Sequence, residues 1–193
     1  MSGVVAVVGS RSLPSGGVAL VSRVACALSR TGHTLAVGCA FGADAAVLNC
    51  VIQDQIPVSS VQCFSAFGQD RSGSCAVSAV AMVSSFAALG GSVSWWAGGG
   101  ALVPVRGRLV VRARAVVSSA SVSVVAFFSS VSSVGTFKAC QYGASRGLSV
   151  VAFPLGFSGS SLPLLGSGSW IPVGGSGVFS SAFKWENSQQ LFQ

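Results

Sequence analysis

Glycine, hydroxyl and charged residues follow short apolar runs at two places near the start of the chain. Gly9-Ser10-Arg11 offers close backbone approach, a hydroxyl group and a guanidinium fork suited to phosphate oxygens. Further on, Gly38 and Gly42 flank a second such turn, and Asp44 follows with a carboxylate that could accept a hydrogen bond from a ribose hydroxyl. These residue types at the ends of apolar runs indicate phosphate or nucleotide binding.

A third stretch of the same kind lies in the second half of the chain. Gly135 and Thr136 follow two serines at the start of a stretch with helical spacing, and Lys138 comes just after them. Taken singly, such glycines are also typical of tight turns, and an early acidic residue also compensates a helix dipole. Because all three stretches are predicted to lie at the same edge of one sheet, together they favour a shared binding site for an anionic ligand.

The positive charge of the chain is unevenly distributed. The net charge is +7, and no carboxylate occurs between Asp70 and Glu186. Unpaired cations must face water or an external anion, because an unpaired buried charge is costly. This pattern favours phosphate-bearing partners, although the charge could also serve only to keep an apolar protein in solution. The cations in this interval are Arg71, Arg106, Arg108, Arg112, Arg114, Lys138, Arg146 and Lys184.

The sequence offers little for metal or cofactor chemistry. Its six cysteines are scattered without a C-x-x-C pair, and the single histidine, His33, cannot complete a usual zinc site. The cysteines are therefore interpreted as small buried residues in a reducing compartment. We expect no metal and no cofactor.

Apolar runs alternate with stretches of helical spacing from residue 4 to residue 153. The run at 4–8 is apolar and β-branched, as in a buried parallel strand, whereas Val18, Val21 and Val24 recur at helical spacing. The alternation predicts an α/β fold, a Rossmann-like parallel sheet with helices on both faces. The predicted strands are 4–8, 34–37, 58–64, 93–96, 122–128 and 148–153, and the predicted helices are 18–29, 43–51, 75–89, 106–118 and 136–146.

The composition changes after residue 156, where the chain becomes rich in glycine and serine. We expect a Rossmann-like domain over residues 1–156 and a loosely ordered Gly/Ser-rich tail over residues 157–193.

The scarcity of charge raises the alternative of a membrane-associated protein. The chain is 51% hydrophobic and 8% charged, and two long stretches carry no charge. Serine and glycine break these stretches into short runs, which favours buried strands and helices over membrane spans. No secretory signal precedes Arg11, so a cytoplasmic location is expected.

Several of these motifs together resemble those of the DNA-processing protein A (Smf) family. The "VAVVGSR" run beginning at Val5 and "GCAFGAD" at 38–44 are similar to that family's paired V-G-S/T-R and S-G-x-A-x-G-I-D motifs. Arg112-Ala113-Arg114 occupies the place of its R-N-R, and Ser133-Val134-Gly135-Thr136 that of its S-G-T. The match runs in the right order over roughly residues 4–156. The same motifs occur in the wider SLOG superfamily, which includes the "Lonely guy" phosphoribohydrolases.

The resemblance implies a Rossmann-like domain, often a homodimer, that binds single-stranded DNA or a nucleotide-derived ligand. Gly9, Ser10, Arg11, Gly38, Gly42, Asp44, Gly135 and Thr136 would then hold the nucleotide or phosphate, and Arg112, Arg114 and Lys138, with Arg11, the nucleic acid. The phosphoribohydrolases carry a glutamate where this chain has Ala139. Without that carboxylate no general acid or base for glycosidic cleavage is evident, so binding is favoured over catalysis.

Overall fold

Strands and helices alternate along most of the chain in the computed structural model, which describes residues 2–73 and 76–188. The strands are β1 (Val4–Gly9), β2 (Thr34–Val37), β3 (Val61–Phe64), β4 (Ser92–Ser94), β5 (Ser123–Phe128), β6 (Ser149–Pro154), β7 (Gly168–Pro172) and β8 (Phe183–Asn187). The helices are α1 (Gly17–Arg30), α2 (Ala43–Ile52), α3 (Val77–Ala88), α4 (Val105–Ser119) and α5 (Val134–Ser145).

The eight strands form one sheet in the order β4-β3-β2-β1-β5-β6-β8-β7. The first six strands pair in parallel, and β8 and β7 are added antiparallel at one edge. The order reverses between β1 and β5, which are neighbours in the sheet although three other strands and four α-helices separate them in sequence. This arrangement confirms the predicted α/β fold with a mainly parallel sheet.

Both faces of the sheet are covered, because successive residues of each central strand point to opposite sides. Val5 and Val7 of β1 belong to a core cluster with residues of α1, α2 and α3. Ala6 and Val8 belong to a second cluster with residues of α4 and α5. The prediction of helices on both faces is therefore confirmed.

Most predicted boundaries lie one or two residues from those of the structure, and the start of the third strand differs most. The strand expected from residue 58 begins at Val61, because the chain after Pro57 first makes a short 3-10 turn in which Ser60 N–H bonds to Pro57 O at 3.0 Å. The fourth strand ends at Ser94, and Trp96 has a φ of 56°, which an extended strand does not allow. The third helix begins at Val77; Cys75, where it was expected to begin, lies outside the described residues.

The expectation of a loosely ordered tail is wrong for the described part of residues 157–193. Strand β8 pairs with β6, and β7 pairs with β8 over five residue positions. Leu162, Leu165 and Trp185 are buried in the same core cluster as α4 and α5. These apolar residues pack the segment against the rest of the domain. They could not be recognised as core residues in the sequence, because glycine and serine are abundant around them. The boundary at residue 156 itself stays a prediction, and it falls within one continuous sheet.

None of the helices in the described residues is long and apolar enough to cross a lipid bilayer.

Candidate functional site

A cleft of about 1200 Å³ opens at the carboxyl ends of β1 and β5, where the strand order reverses. Helices that follow neighbouring strands to opposite faces diverge at such a point, and ligands of open α/β sheets bind in the resulting crevice. The cleft is lined by the loops after β1, β2 and β5, by one side of α4, and by residues along the whole length of α5. Leu165, from the segment after β6, also lines it.

Nearly all predicted site residues meet in this cleft. Gly42 is the one that does not line it. The predicted residues that line it are Gly9, Ser10, Arg11, Gly38, Asp44, Arg112, Arg114, Gly135, Thr136 and Lys138.

Ser10 ties the loop after β1 to the loop after β5. Its backbone N–H donates to Phe127 O at 2.9 Å, and its Oγ accepts from Ser129 N–H at 3.0 Å. The same Oγ lies 2.9 Å from the Oγ of Ser133. The hydroxyl is therefore engaged within the chain, and Ser10 is buried. Arg11, the next residue, is exposed at the cleft.

The loop after β2 packs closely against the loop after β1, and its glycines make this possible. Gly42 has a φ of 73° and lies so close to Ser10 O that a side chain would collide with it. The N–H of Ala43, the first residue of α2, donates to Ser10 O at 3.3 Å. A Cβ at Gly38 would collide with the guanidinium group of Arg112. Gly38 and Gly42 thus serve contacts within the protein.

Asp44 and Arg112 form a buried ion pair in the cleft. Arg112 Nη1 lies 3.0 Å from Asp44 Oδ2, and each side chain is 8% exposed. The same carboxylate oxygen accepts from Ala40 N–H at 3.0 Å. Burial lowers the pKa of Arg112, but the Asp44 carboxylate and the nearby Cys39 and Cys63 together outweigh this effect, so that the pKa is raised. Each charge thus has a partner within the chain, and contacts of either residue with a ribose or a nucleic acid stay predictions.

The first turn of α5 presents unpaired backbone amides at the cleft. Val134 N–H donates to Ser132 O and Phe137 N–H to Ser133 O, which leaves the amides of Gly135 and Thr136 without an acceptor in the described residues. Apart from its chain neighbours and the backbone of its own helix, no atom of the described residues lies within 4 Å of where a Cβ on Gly135 would be. Free amides at the positive end of a helix suit an anionic group.

Four exposed cations line the cleft and form what we call the cationic rim: Arg11, Arg106, Arg114 and Lys138. The ion pairs of the described residues are Asp44–Arg112 and Lys184–Glu186, so none of the four has a carboxylate partner there. Motif matching missed Arg106, although its spacing of eight residues from Arg114 on a predicted helix could have found it.

Arg108 is the second buried arginine of α4, and unlike Arg112 it has no carboxylate partner in the described residues. Arg108 Nη1 donates to Ala66 O at 3.2 Å, and its guanidinium lies 5.2 Å from the centre of the Trp96 ring. Neither its Nε nor that of Arg112 has a hydrogen-bond partner in the described residues. Arg108 thus adds a second positive charge beside the ion pair.

Cationic and hydroxyl side chains predominate among the polar residues that line the cleft. Asp44 is the one carboxylate among its lining residues in the described chain, and Arg112 engages it. Ala139, at the position of the phosphoribohydrolase glutamate, also lines the cleft. The described residues contain no cluster of three His, Cys, Asp or Glu side chains that could hold a metal ion.

Comparison with solved structures identifies the fold. A structure that describes the single-stranded DNA binding mode of DNA processing protein A from Helicobacter pylori matches with a TM-score of 0.61 and 16% identity, over 78% of this chain and 65% of that one. DNA processing protein A from Streptococcus pneumoniae matches with a TM-score of 0.59 and 20% identity, over 83% of this chain and 53% of that one.

The chain thus has a Rossmann-like fold similar to that of DNA processing protein A, as predicted, and it spans less than two thirds of the length of either structure. No known family profile matches the sequence. No curated protein matches it either.

Proposed function

We propose that this DNA-processing-protein-A-like Rossmann domain binds single-stranded DNA in the cleft at the carboxyl ends of β1 and β5, without catalysis. The observation that carries the proposal is the cationic rim, which surrounds a cleft at the switch point of the sheet and has no carboxylate partner in the described residues. Phosphates are the natural complement of such a surface, and neutralising them releases counterions from the strand. The single-stranded DNA bound by the Helicobacter pylori protein of similar fold supports this choice of ligand.

The roles proposed for the cleft residues follow from their exposure. Arg11, Arg114 and Lys138 contact phosphates directly, because they are exposed and unpaired. The amides of Gly135 and Thr136, which have no acceptor in the described residues, donate to a further phosphate at the start of α5. Ser10, Asp44 and Arg112 with the nearby glycines Gly9, Gly38 and Gly42 hold the loops that present these groups.

A titration of a fluorescently labelled single strand, followed by anisotropy, tests the proposal. Affinity should fall steeply with salt, with a slope of about −0.7 in log K against log salt for each phosphate contact. Arg11→Ala should weaken binding and make the slope shallower, while Arg23→Ala, on exposed α1 surface outside the cleft, should change neither. Absence of binding at low salt would refute the proposal.

A nucleotide-derived small ligand is the second candidate, and the open space at Gly135 favours it. It would place one phosphate group on the amides of α5 and leave much of the rim unused. Thermal stabilisation by a nucleoside monophosphate, but not by a DNA strand, would select this candidate. Hydrolysis of such a ligand is not proposed, because Ala139 supplies no carboxylate.

The assembly and location that accompany this function are proposals as well. We propose a homodimer in the cytoplasm, from the family resemblance. Light scattering of the purified protein tests the dimer, and cell fractionation tests the location.

A further inference from the structure

One wall of the cleft is the side of α4 that carries Arg106, Val110 and Arg114. These residues are spaced four apart, so they lie in a row along one side of the helix. All three are exposed and line the cleft. From the helical rise, the row extends over about 12 Å. It is thus longer than a contact with a single phosphate requires.

The charges at the start of α4 oppose the helix dipole. The first turn contains Arg106 and no acidic residue. A cation near the positive end of a helix is destabilising unless an anion compensates it. Arg106 has no carboxylate partner in the described residues, and the adjacent buried Arg108 is held by a carbonyl and an aromatic ring. No carboxylate of the described chain compensates this positive charge, whereas a bound phosphate would.

An apolar side chain separates the two exposed arginines. Val110 is 50% exposed, and Val134, at the start of α5 in the same cleft, is 60% exposed. A row that alternates cation, apolar residue and cation complements a strand that alternates phosphates with bases. A mononucleotide, with its phosphates at one end, would leave part of such a row unsatisfied.

We propose that the Arg106–Val110–Arg114 row of α4 is a second binding track, and that the ligand is a strand of several nucleotides. Arg106 and Arg114 contact successive phosphates on this track, and a base packs on Val110 between them. The strand reaches Arg11 and Lys138 with its remaining phosphates. This inference rests on the proposed function, because it extends the ligand from the cleft along α4.

Oligothymidylates of increasing length, titrated by anisotropy at several salt concentrations, test the track. In the wild type, affinity should rise with length until the strand covers both the rim and α4, and thymidine monophosphate should bind far more weakly. For a long strand, Arg106→Gln should reduce affinity roughly two- to fivefold, as for an exposed ion pair. It should also make the salt slope shallower by about 0.7. Arg23→Gln, the same charge change on exposed α1 surface, should match the wild type.

Stability measurements separate a contact from a structural role. The melting temperature of Arg106→Gln should equal or slightly exceed that of the wild type, because the substitution removes a cation from the first turn of a helix. If the wild type binds long strands but Arg106→Gln binds them as tightly as Arg23→Gln does, the track is overturned and the proposed function stands. Equal affinity for the monophosphate and the long strand would also overturn it. If the wild type binds no strand of any length, both the track and the proposed function are overturned.

Discussion

The Asp44 carboxylate and the Arg112 guanidinium depend on each other because both are buried. Replacing Asp44 by Asn leaves the Arg112 charge without its partner in a site that is 8% exposed, and we expect a loss of about 3–5 kcal/mol in the free energy of unfolding. Urea denaturation measures this loss. Arg11→Ala, which removes an exposed and unpaired cation of the same cleft, should change stability by less than about 0.5 kcal/mol.

A double variant shows whether the pair itself or only the unpaired charge matters. Asp44→Asn combined with Arg112→Met removes both charges, and it should be more stable than Asp44→Asn alone. If the double variant were the less stable of the two, the loss would not come from an unpaired buried charge.

Ser10 provides a second prediction at the scale of single residues. Ser10→Ala leaves the N–H of Ser129 without the acceptor it has at 3.0 Å, so we expect a loss of about 1–3 kcal/mol in the free energy of unfolding. If Ser10 positions the loops and does not contact phosphate, strand affinity should fall while its salt slope stays unchanged. Arg11→Ala is the contrasting variant, since its slope should become shallower. A shallower slope for Ser10→Ala would instead make Ser10 a phosphate contact.

The sequence was sufficient to predict many of the residues that line the cleft, but not which of them contact one another. Arg11, Gly135 and Lys138 could be placed at the cleft because parallel strands end at a common edge. The Asp44–Arg112 pair could not be found in this way, because its residues lie 68 positions apart and no local pattern connects α2 with α4. The sequence predicted that Gly38 binds a nucleotide or phosphate, whereas the structure shows that the absence of a side chain there makes room for Arg112.

At the scale of elements, the β7–β8 hairpin depends on a few aromatic residues in a chain otherwise rich in glycine and serine. Trp185 is buried, its ring lies 5.3 Å from that of Trp170 in an edge-on arrangement, and its Nε1–H donates to Asn187 Oδ1 at 2.8 Å. Trp185→Ala should therefore lower the free energy of unfolding by about 3–5 kcal/mol. Thermal or urea denaturation measures this change.

An exposed residue of the same hairpin serves as the control. Ile171 of β7 is 43% exposed, and Ile171→Ala should cost much less than Trp185→Ala. Two small and equal effects would mean that the segment is a loosely attached tail, as its composition first suggested.

The elements of the parallel part of the sheet were easier to predict than this hairpin. Strands β1 and β5 are continuous apolar runs because both of their faces are buried, and such runs stand out in a sequence. Strand β7 lies at the edge of the sheet, its residues are half-buried or exposed, and it includes Gly168 and Pro172. Its pairing depends on β8, which in turn depends on β6, and those long-range contacts leave no regular spacing in the sequence.

At the scale of the whole molecule, buried thiols couple stability to alkaline pH. Burial raises the pKa of Cys50, Cys63 and Cys140 in the folded protein above the ordinary 9.0. Above that pH the unfolded chain releases these protons while the folded chain retains them. Because the folded state then binds more protons, its contribution to stability is present below pH 9.0 and is lost as the pH rises further.

The free energy of unfolding, measured in urea from neutral pH to beyond pH 9.0, should thus fall with a slope to which each of these thiols contributes. Cys140 is the sharpest case, since burial is the one cause of its raised pKa and its side chain is fully enclosed between α5 and the sheet. Cys140→Ala should lower stability at neutral pH through the lost packing, but its decline at alkaline pH should be shallower than in the wild type. An identical decline in wild type and Cys140→Ala would show that the Cys140 thiol does not stay protonated in the folded core.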